Sequence, residues 1–153
     1  MPIEQTHELP ASFARLGQHD QHPWHPLPWK GVYNKVLYFD RITGATIELA
    51  KVEKGAEFPE HYHSTVQTLF LVSGRLRSRE TVITPGTFNI IPAGQVHGPF
   101  FAEEESIQFK YFSAVPVYFV KDGTSYLYKE DGRTMAIHDA SFKKELNQPN
   151  ILR

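Results

Sequence analysis

From Tyr33 onward, short runs of Val, Ile, Phe, Tyr and Thr are separated by turn residues. Runs of this length, with apolar and polar positions alternating and Gly, Pro, Asn or Asp at their ends, are typical of β-strands. Asp122-Gly123 lies between two such runs, which predicts a hairpin. Strands are predicted at Tyr33–Asp40, Ala45–Val52, Val66–Val72, Arg75–Thr84, Thr87–Ile91, Ser106–Phe112, Val117–Lys121 and Tyr126–Lys129. This pattern predicts an all-β sandwich or small barrel.

The two ends of the chain depart from this pattern. Three prolines fall within residues 22–29, a density that disfavours both a helix and a central strand. The same stretch carries Trp24 and Trp29, so we expect an extended arm that buries both rings against the body of the protein. The predicted organisation is an arm at residues 1–32, a barrel at 33–138, and a short helix with a tail at 139–153.

Composition narrows the classes of function. The chain has 153 residues, which fits one domain, and its formal charge of -1 gives no general attraction to nucleic acid or to an anionic membrane. No apolar run approaches the roughly 18 residues of a spanning helix, so we expect a cytoplasmic protein. Cysteine is absent, which excludes disulfides, thiol catalysis and zinc–thiolate sites. The 8 histidines leave a histidine metal site open.

His61-Tyr62-His63 is the first sign of such a site. On a strand, side chains two residues apart point to the same face, so both imidazoles could bind one metal ion. Two exposed histidines at the end of a strand are the alternative, since a short motif of this kind also arises by chance. The wider pattern reads Gly55-x5-His61-x-His63-x3-Gln67-x6-Gly74, followed by Gly86-x5-Pro92-x-Gly94-x2-His97.

This pattern resembles the two signature motifs of the cupin superfamily, over about Tyr33 to Phe119. It departs from them at Gln67, where the superfamily usually has Glu, and at Phe101, where it usually has Asn. The resemblance implies a single jelly-roll β-barrel with the motif glycines at turns that need positive φ. It also implies one divalent metal ion, whose ligands are identified by position as His61, His63 and His97.

Gln67 and Glu80 are the two candidate catalytic residues. An amide at position 67 is a neutral and weaker ligand than a carboxylate, so the site keeps a net charge of about +2 and favours an anionic substrate such as an enolate. Gln67 could instead only hydrogen-bond a ligand. Alternation along Arg75–Thr84 places Glu80 on the same face as Leu76 and inside the barrel, near the metal. In the alternative, the strand bulges and Glu80 pairs with a surface arginine.

A finer resemblance is to small cupin dioxygenases that cleave a C–C bond beside a carbonyl, the dihydroxyacetophenone and acetylacetone dioxygenases. It rests on segments such as Pro26–Pro28, Lys51–Ala56 and Pro92–His97. It implies Fe(II), with Zn, Ni or Mn as alternatives, and O2 with a small β-dicarbonyl or hydroxyaryl ketone as substrates. In the dihydroxyacetophenone group, a Glu near the place of Glu80 lies at the iron. The candidate residues of the pocket wall are Phe70, Ile91, Phe100, Phe109 and Tyr111, and the alternative for any of them is a place in the core.

Other classes of function stay open. Cupins also serve as non-catalytic domains that bind a metal or small molecule as sensors, and as metal-dependent isomerases or sugar-handling enzymes. The tryptophan-bearing arm favours burial against a partner subunit, so we expect a homo-oligomer, a dimer or a tetramer. His22 and His25 lie in the arm, where a second metal site is a weaker hypothesis.

Overall fold

Strands make up nearly all the regular structure in the computed structural model, which describes residues 17–129 and 132–137. One short 3-10 helix, His19–Gln21, comes first. The strands are β1 His25–Pro26, β2 Val32–Phe39, β3 Thr46–Val52, β4 Glu57–Phe58, β5 His61–Tyr62, β6 Gln67–Ser78, β7 Thr81–Ile83, β8 Phe88–Ile91, β9 Phe100–Phe112, β10 Val117–Val120, β11 Ser125–Tyr128 and β12 Thr134–Ala136. The all-β prediction is confirmed; the helix predicted at 139–153 lies outside the described residues.

Two sheets organise these strands. The main sheet has the order β1-β2-β3-β9-β6-β7, with β4 also on β9 and β8 also on β6. The second sheet has the order β12-β11-β10-β5. The two longest strands, β6 and β9, pair with each other, and β5 carries the first of the motif histidines. In the described part of the chain, no helix is long and apolar enough to cross a membrane.

β6 differs from the sequence prediction in where it ends. It was expected to stop at Ser73-Gly74, but it continues to Ser78 through shifts of register between Leu71 and Leu76. Gly74 has a φ of +85°, and a Cβ there would overlap the carbonyl group of Glu105 on β9. Glycine therefore lets the backbones of β6 and β9 approach closely where the strand bulges.

The N-terminal segment adds an edge strand, β1, to the main sheet. β1 pairs with β2, with His25 opposite Asn34. The Trp29 ring lies 5.0 Å from that of Phe58, and it also contacts Tyr118 and Tyr126. The ammonium groups of Lys35 and Lys51 lie 4.4 and 4.8 Å from the Trp24 ring centroid. Both tryptophans thus contact the body of the protein, and both are half-buried.

The side of β9 that faces the interior is the opposite of the side predicted to line the pocket. Gln108 and Lys110 are buried, while Phe109 and Tyr111 are 38% and 40% exposed. Phe70, which pairs with Phe109 across the strands, is also exposed. These three aromatic residues lie on the outer face, and their prediction as pocket wall is wrong. Of the predicted wall, Ile91 and Phe100 are the buried members.

Candidate metal centre

Backbone hydrogen bonds bring the three motif histidines together. The amide of His61 donates to the carbonyl of His97 over 3.1 Å, and the amide of His97 donates back to the carbonyl of His61 over 2.9 Å. The amide of Gly94 donates to the carbonyl of His63 over 2.7 Å. The loop before β9 is therefore joined to β5, which sets His97 directly opposite His61.

Each imidazole is held in one tautomer by a backbone carbonyl. The Nδ1 atoms of His61, His63 and His97 lie 2.6, 2.9 and 2.9 Å from the carbonyl oxygens of Pro59, Val117 and Gln95 respectively. Since a carbonyl can only accept, each Nδ1 carries the hydrogen and donates it. The Nε2 lone pair of every ring is left available, which is the arrangement of histidines that ligate metals.

The three Nε2 atoms face a common point. They are buried and have no hydrogen-bond partner among the residues that the structure describes. The candidate ligand atoms of His61, His63 and His97 all lie within 4.8 Å of one another. Three unpartnered nitrogen acceptors are costly to bury, and a divalent metal ion that binds imidazole would satisfy all of them. The residues present therefore fit a metal ion.

Burial also keeps these rings unprotonated. It holds the pKa of His61 and His63 well below the ordinary value of 6.5, and neighbouring imidazoles and Lys110 lower both further. The pKa of His97 falls to about 4, again chiefly through burial. At neutral pH, protons therefore do not compete with a metal ion for the three nitrogens.

Gln67 lies at the edge of this group. It opens β6, is buried, and its side chain lies beside His63. Its Oε1 atom has no hydrogen-bond partner in the described part of the chain. The position suits either a neutral ligand or an acceptor for a hydrogen bond from a metal-bound molecule. The structure thus places Gln67, which departs from the usual cupin motif, beside His63.

Aromatic rings enclose the site on one side. The Phe58 ring lies 4.7 Å from that of His61, and the Tyr118 and Phe112 rings lie 4.6 and 5.0 Å from that of His63. Phe58, Phe112 and Tyr118 are fully buried, whereas His97 is only partly buried. A small molecule would therefore approach from the His97 side.

Lys110 and Glu48 are functional candidates that sequence reasoning missed. They lie opposite each other on β9 and β3, and both are buried. Burial lowers the pKa of Lys110, and the nearby Glu48 carboxylate opposes that shift. The Lys110 ammonium lies 4.8 Å from the Phe58 ring centroid, and its charge lowers the pKa of all three histidines. Asn34 donates a hydrogen bond to Glu48 over 3.4 Å. One feature of the sequence could have indicated that Lys110 is buried. It lies two residues before Phe112 on the same strand, so both side chains point to the same face, and Phe112 is buried.

Glu80 is not near the histidines. It lies with Arg79 in the turn between β6 and β7, and it is exposed. The inward position predicted from alternation is wrong, because the strand ends at Ser78 and Arg79 takes a φ of +54°. Arg79 itself pairs with Glu60 over 2.7 Å. His22 and His25 also lie outside the three-histidine group.

Comparisons with known proteins identify the family and the fold. A sequence model of the family described as ChrR Cupin-like domain matches residues 14–116. A structure from Methylibium petroleiphilum, provisionally assigned as an acetylacetone dioxygenase, superposes with a TM-score of 0.62 at 19% identity, over 84% of this chain and 92% of that one. An acetylacetone dioxygenase from Acinetobacter johnsonii superposes with a TM-score of 0.55 at 15% identity, over 97% of this chain and 100% of that one.

A third similar structure is the complex of SigE with the anti-sigma factor ChrR from Rhodobacter sphaeroides. It gives a TM-score of 0.53 at 20% identity, over 62% of this chain and 51% of the matched chain. No curated protein sequence matches the chain. At these identities the structural likenesses show a shared fold, while the family match spans most of the sequence. The chain therefore belongs to the ChrR cupin-like family, within the cupin superfamily.

Proposed function

We propose that this chain binds one divalent metal ion through His61, His63 and His97 and works as a dioxygenase when that ion is Fe(II). The substrate would be a small β-dicarbonyl or hydroxyaryl ketone, cleaved at a C–C bond next to the carbonyl. The observation that carries the proposal is the set of three buried, unprotonated Nε2 atoms that face one another. Within the described residues this ligand group contains only histidines, which leaves further coordination positions for small molecules.

The charges around the site favour an anionic substrate. Neutral imidazoles do not offset the charge of a divalent ion, and Gln67 adds none. The Lys110 ammonium lies close enough to affect all three histidines. An enolate oxygen would be stabilised chiefly by the divalent ion, and the Lys110 ammonium would add a smaller contribution because the Glu48 carboxylate opposes part of its charge. The neutral ketone would gain less from both groups. Lys110 is thus proposed to select the enolate form.

The atoms of the proposed reaction balance without another reactant. His61, His63 and His97 would hold the ion, and the chemistry that Fe(II) would supply there is electron density for O2. One O2 adds across the broken C–C bond, so each fragment gains one oxygen atom and no outside reductant is required. The protein orients the substrate against the histidines, and the rings of Phe58, Phe112 and Tyr118 exclude water on one side.

Oxygen uptake by the metal-loaded protein tests this proposal. The purified chain is loaded anaerobically with Fe(II) and mixed with acetylacetone or a dihydroxyacetophenone. We expect one O2 consumed per substrate cleaved, with the carboxylic acid product detected by mass spectrometry. The Zn-loaded protein and the His61→Ala variant are the controls and should consume no O2. Absence of uptake with both substrates in the Fe-loaded protein would overturn the dioxygenase proposal.

Gln67 has its own test. Gln67→Glu changes the charge at nearly constant shape, so it should strengthen metal binding about 10-fold or more, the scale of changes around a metal ligand. The added negative charge should also weaken binding of the acetylacetone enolate. Competition with a chromophoric chelator and titration with acetylacetone measure the two effects. Unchanged affinity for both metal and enolate would place Gln67 outside the site's chemistry.

A metal- or ligand-sensing domain without catalysis is the second candidate. Its support is the family match, whose description refers to ChrR, together with the fold shared with the anti-sigma complex. On this account the histidines bind a metal ion stoichiometrically and the loaded protein consumes no O2 with either substrate. The same oxygen-uptake experiment therefore separates the two functions.

A further inference from the structure

The outer face of the main sheet carries an unusual amount of exposed apolar surface. Six side chains on β6, β8 and β9, here called the aromatic face, are between 38% and 68% exposed. They are Phe70, Val72, Phe88, Ile90, Phe109 and Tyr111. The histidine site lies behind the opposite, inner face of the same strands, so the proposed function does not use this surface.

Strand pairing makes the aromatic face continuous. Phe70 pairs with Phe109 on one side and with Phe88 on the other, which forms a row of three rings across three strands. Thr68 likewise pairs with Tyr111 and with Ile90, which forms a second row beside the first. Adjacent rows of cross-strand neighbours contact each other, so these side chains form one patch and not scattered exposed residues.

The area of this patch approaches what each partner of a stable dimer buries. With about half of each side chain exposed and about 200 Å² for a large free side chain, the six residues offer on the order of 600 Å². This lies at the upper end of the roughly 300–600 Å² typical of the largest apolar patch on a monomer. It also supplies most of the roughly 800 Å² that each partner contributes to a standard interface.

The charges at the border of the patch also fit a second copy. Arg75 and Arg77, on the same strand as Phe70, both bind Glu103 at 2.6 Å. Two arginines and one glutamate leave this border cluster with a net charge of only +1, so two identical faces would repel each other weakly. The whole chain has a formal charge of -1, which adds little repulsion.

We propose that the aromatic face is buried against the same face of a second copy, in a dimer with two-fold symmetry. In such an isologous interface every residue appears twice, so a single charged substitution places two buried charges in it. Phe88, the most exposed of the six, is positioned to insert most deeply into the partner.

Sedimentation equilibrium of the metal-loaded full chain tests the dimer. We expect a dimer for the wild type and a dissociation constant raised by about 100-fold or more in Phe88→Asp or in Ile90→Lys, the scale of a lost central contact. Met135→Asp is the matched control, because Met135 is 47% exposed on the second sheet. It should leave the dimer intact. Circular dichroism confirms that each variant is folded.

A monomeric wild type at high concentration would overturn the proposal, as would Phe88→Asp and Ile90→Lys variants that are folded and still dimeric. The lack of cysteine offers a second measurement. Thr68→Cys, labelled with a nitroxide, should give dipolar coupling between the two copies. A dimer without that coupling would place the interface on another face. These readouts do not depend on metal chemistry, so they can fail or succeed independently of the dioxygenase proposal.

Discussion

The two faces of β9 differ in a way that reverses the usual order of a half-buried strand. Towards the interior it carries Gln108 and Lys110, both buried, and towards the outside it carries Phe109 and Tyr111, both well exposed. A polar interior is costly unless its groups are paired. The polar interior lies beside the three histidines, where we propose chemistry, and the apolar exterior is where we propose contact with a second copy. The predictions below separate these two roles.

The largest expected effect concerns the histidines. Replacing His61, His63 or His97 with Ala removes one of three ligands, and we expect bound metal to fall from one ion per chain to well below that. Elemental analysis by inductively coupled plasma mass spectrometry measures it. His22→Ala, outside the group, should retain full occupancy. Full occupancy in His97→Ala would mean that this histidine has only a structural role.

The same substitution on the two sides of the sheet gives the next contrast. Lys110→Met leaves the buried Glu48 carboxylate without the opposing charge of Lys110, and should lower the free energy of unfolding by about 3–5 kcal/mol. Lys51→Met removes only cation–π contacts with Trp24 and Tyr33, and should cost about 1 kcal/mol or less. Urea denaturation measures both.

A double variant sharpens this result. Lys110→Met combined with Glu48→Gln removes both buried charges, so it should recover most of the stability lost in the single variant. If Lys110→Met lowers the free energy of unfolding by no more than Lys51→Met does, the charges of Lys110 and Glu48 do not stabilise each other in the folded protein.

The pH dependence of the metal-free protein should be smaller but measurable. Because the folded-state pKa of His97 is about 4, the unfolded chain takes up a proton near pH 6.5 before the folded protein does. Stability should therefore fall as pH decreases from about 6.5 to 4, by up to about 3 kcal/mol from this group. Thermal melts of wild type and His97→Asn measure it; the variant should show a shallower slope. The same dependence of melting temperature on pH in both proteins would contradict a folded-state pKa of about 4 for His97.

The smallest expected effect is at Glu80. Its carboxylate is exposed in the turn after β6, so Glu80→Gln should change metal occupancy and turnover by less than about 2-fold, as expected of a surface substitution. A 100-fold loss of turnover, the scale of a lost general base, would show that this turn reaches the site in the working protein.

Much of the fold and the three histidines could be predicted from the sequence, because the turn residues that separate the strands and the spacing of the motif residues are local features of the chain. The orientation of each strand was harder. Alternation divides Ile107, Phe109 and Tyr111 from Gln108 and Lys110, but it does not say which set faces inward. The packing of the folded sheets decides which set is buried, and here the buried set is the polar one.

The error at Glu80 has a different cause. Leu76 is fully buried, so the inward side predicted for Arg75–Thr84 is right at the start of that segment. Counting in twos from Leu76 to Glu80 assumed one continuous strand, whereas β6 ends at Ser78. Arg79, with a φ of +54°, and Glu80 form a turn. Neither is a Gly, Pro, Asn or Asp, so the sequence carries none of the usual turn signals there.

The paired amides of His61 and His97 have a consequence for how a metal ion would come and go. Two ligand-bearing segments are already joined by hydrogen bonds of 3.1 and 2.9 Å, and each ring is already oriented by a carbonyl. Little conformational entropy is then lost when an ion binds, and little order is lost when it leaves. Small domains whose fold depends on zinc collapse under chelation. This protein should instead stay folded while a metal ion binds and leaves, and the rate of exchange should be set by access from the His97 side.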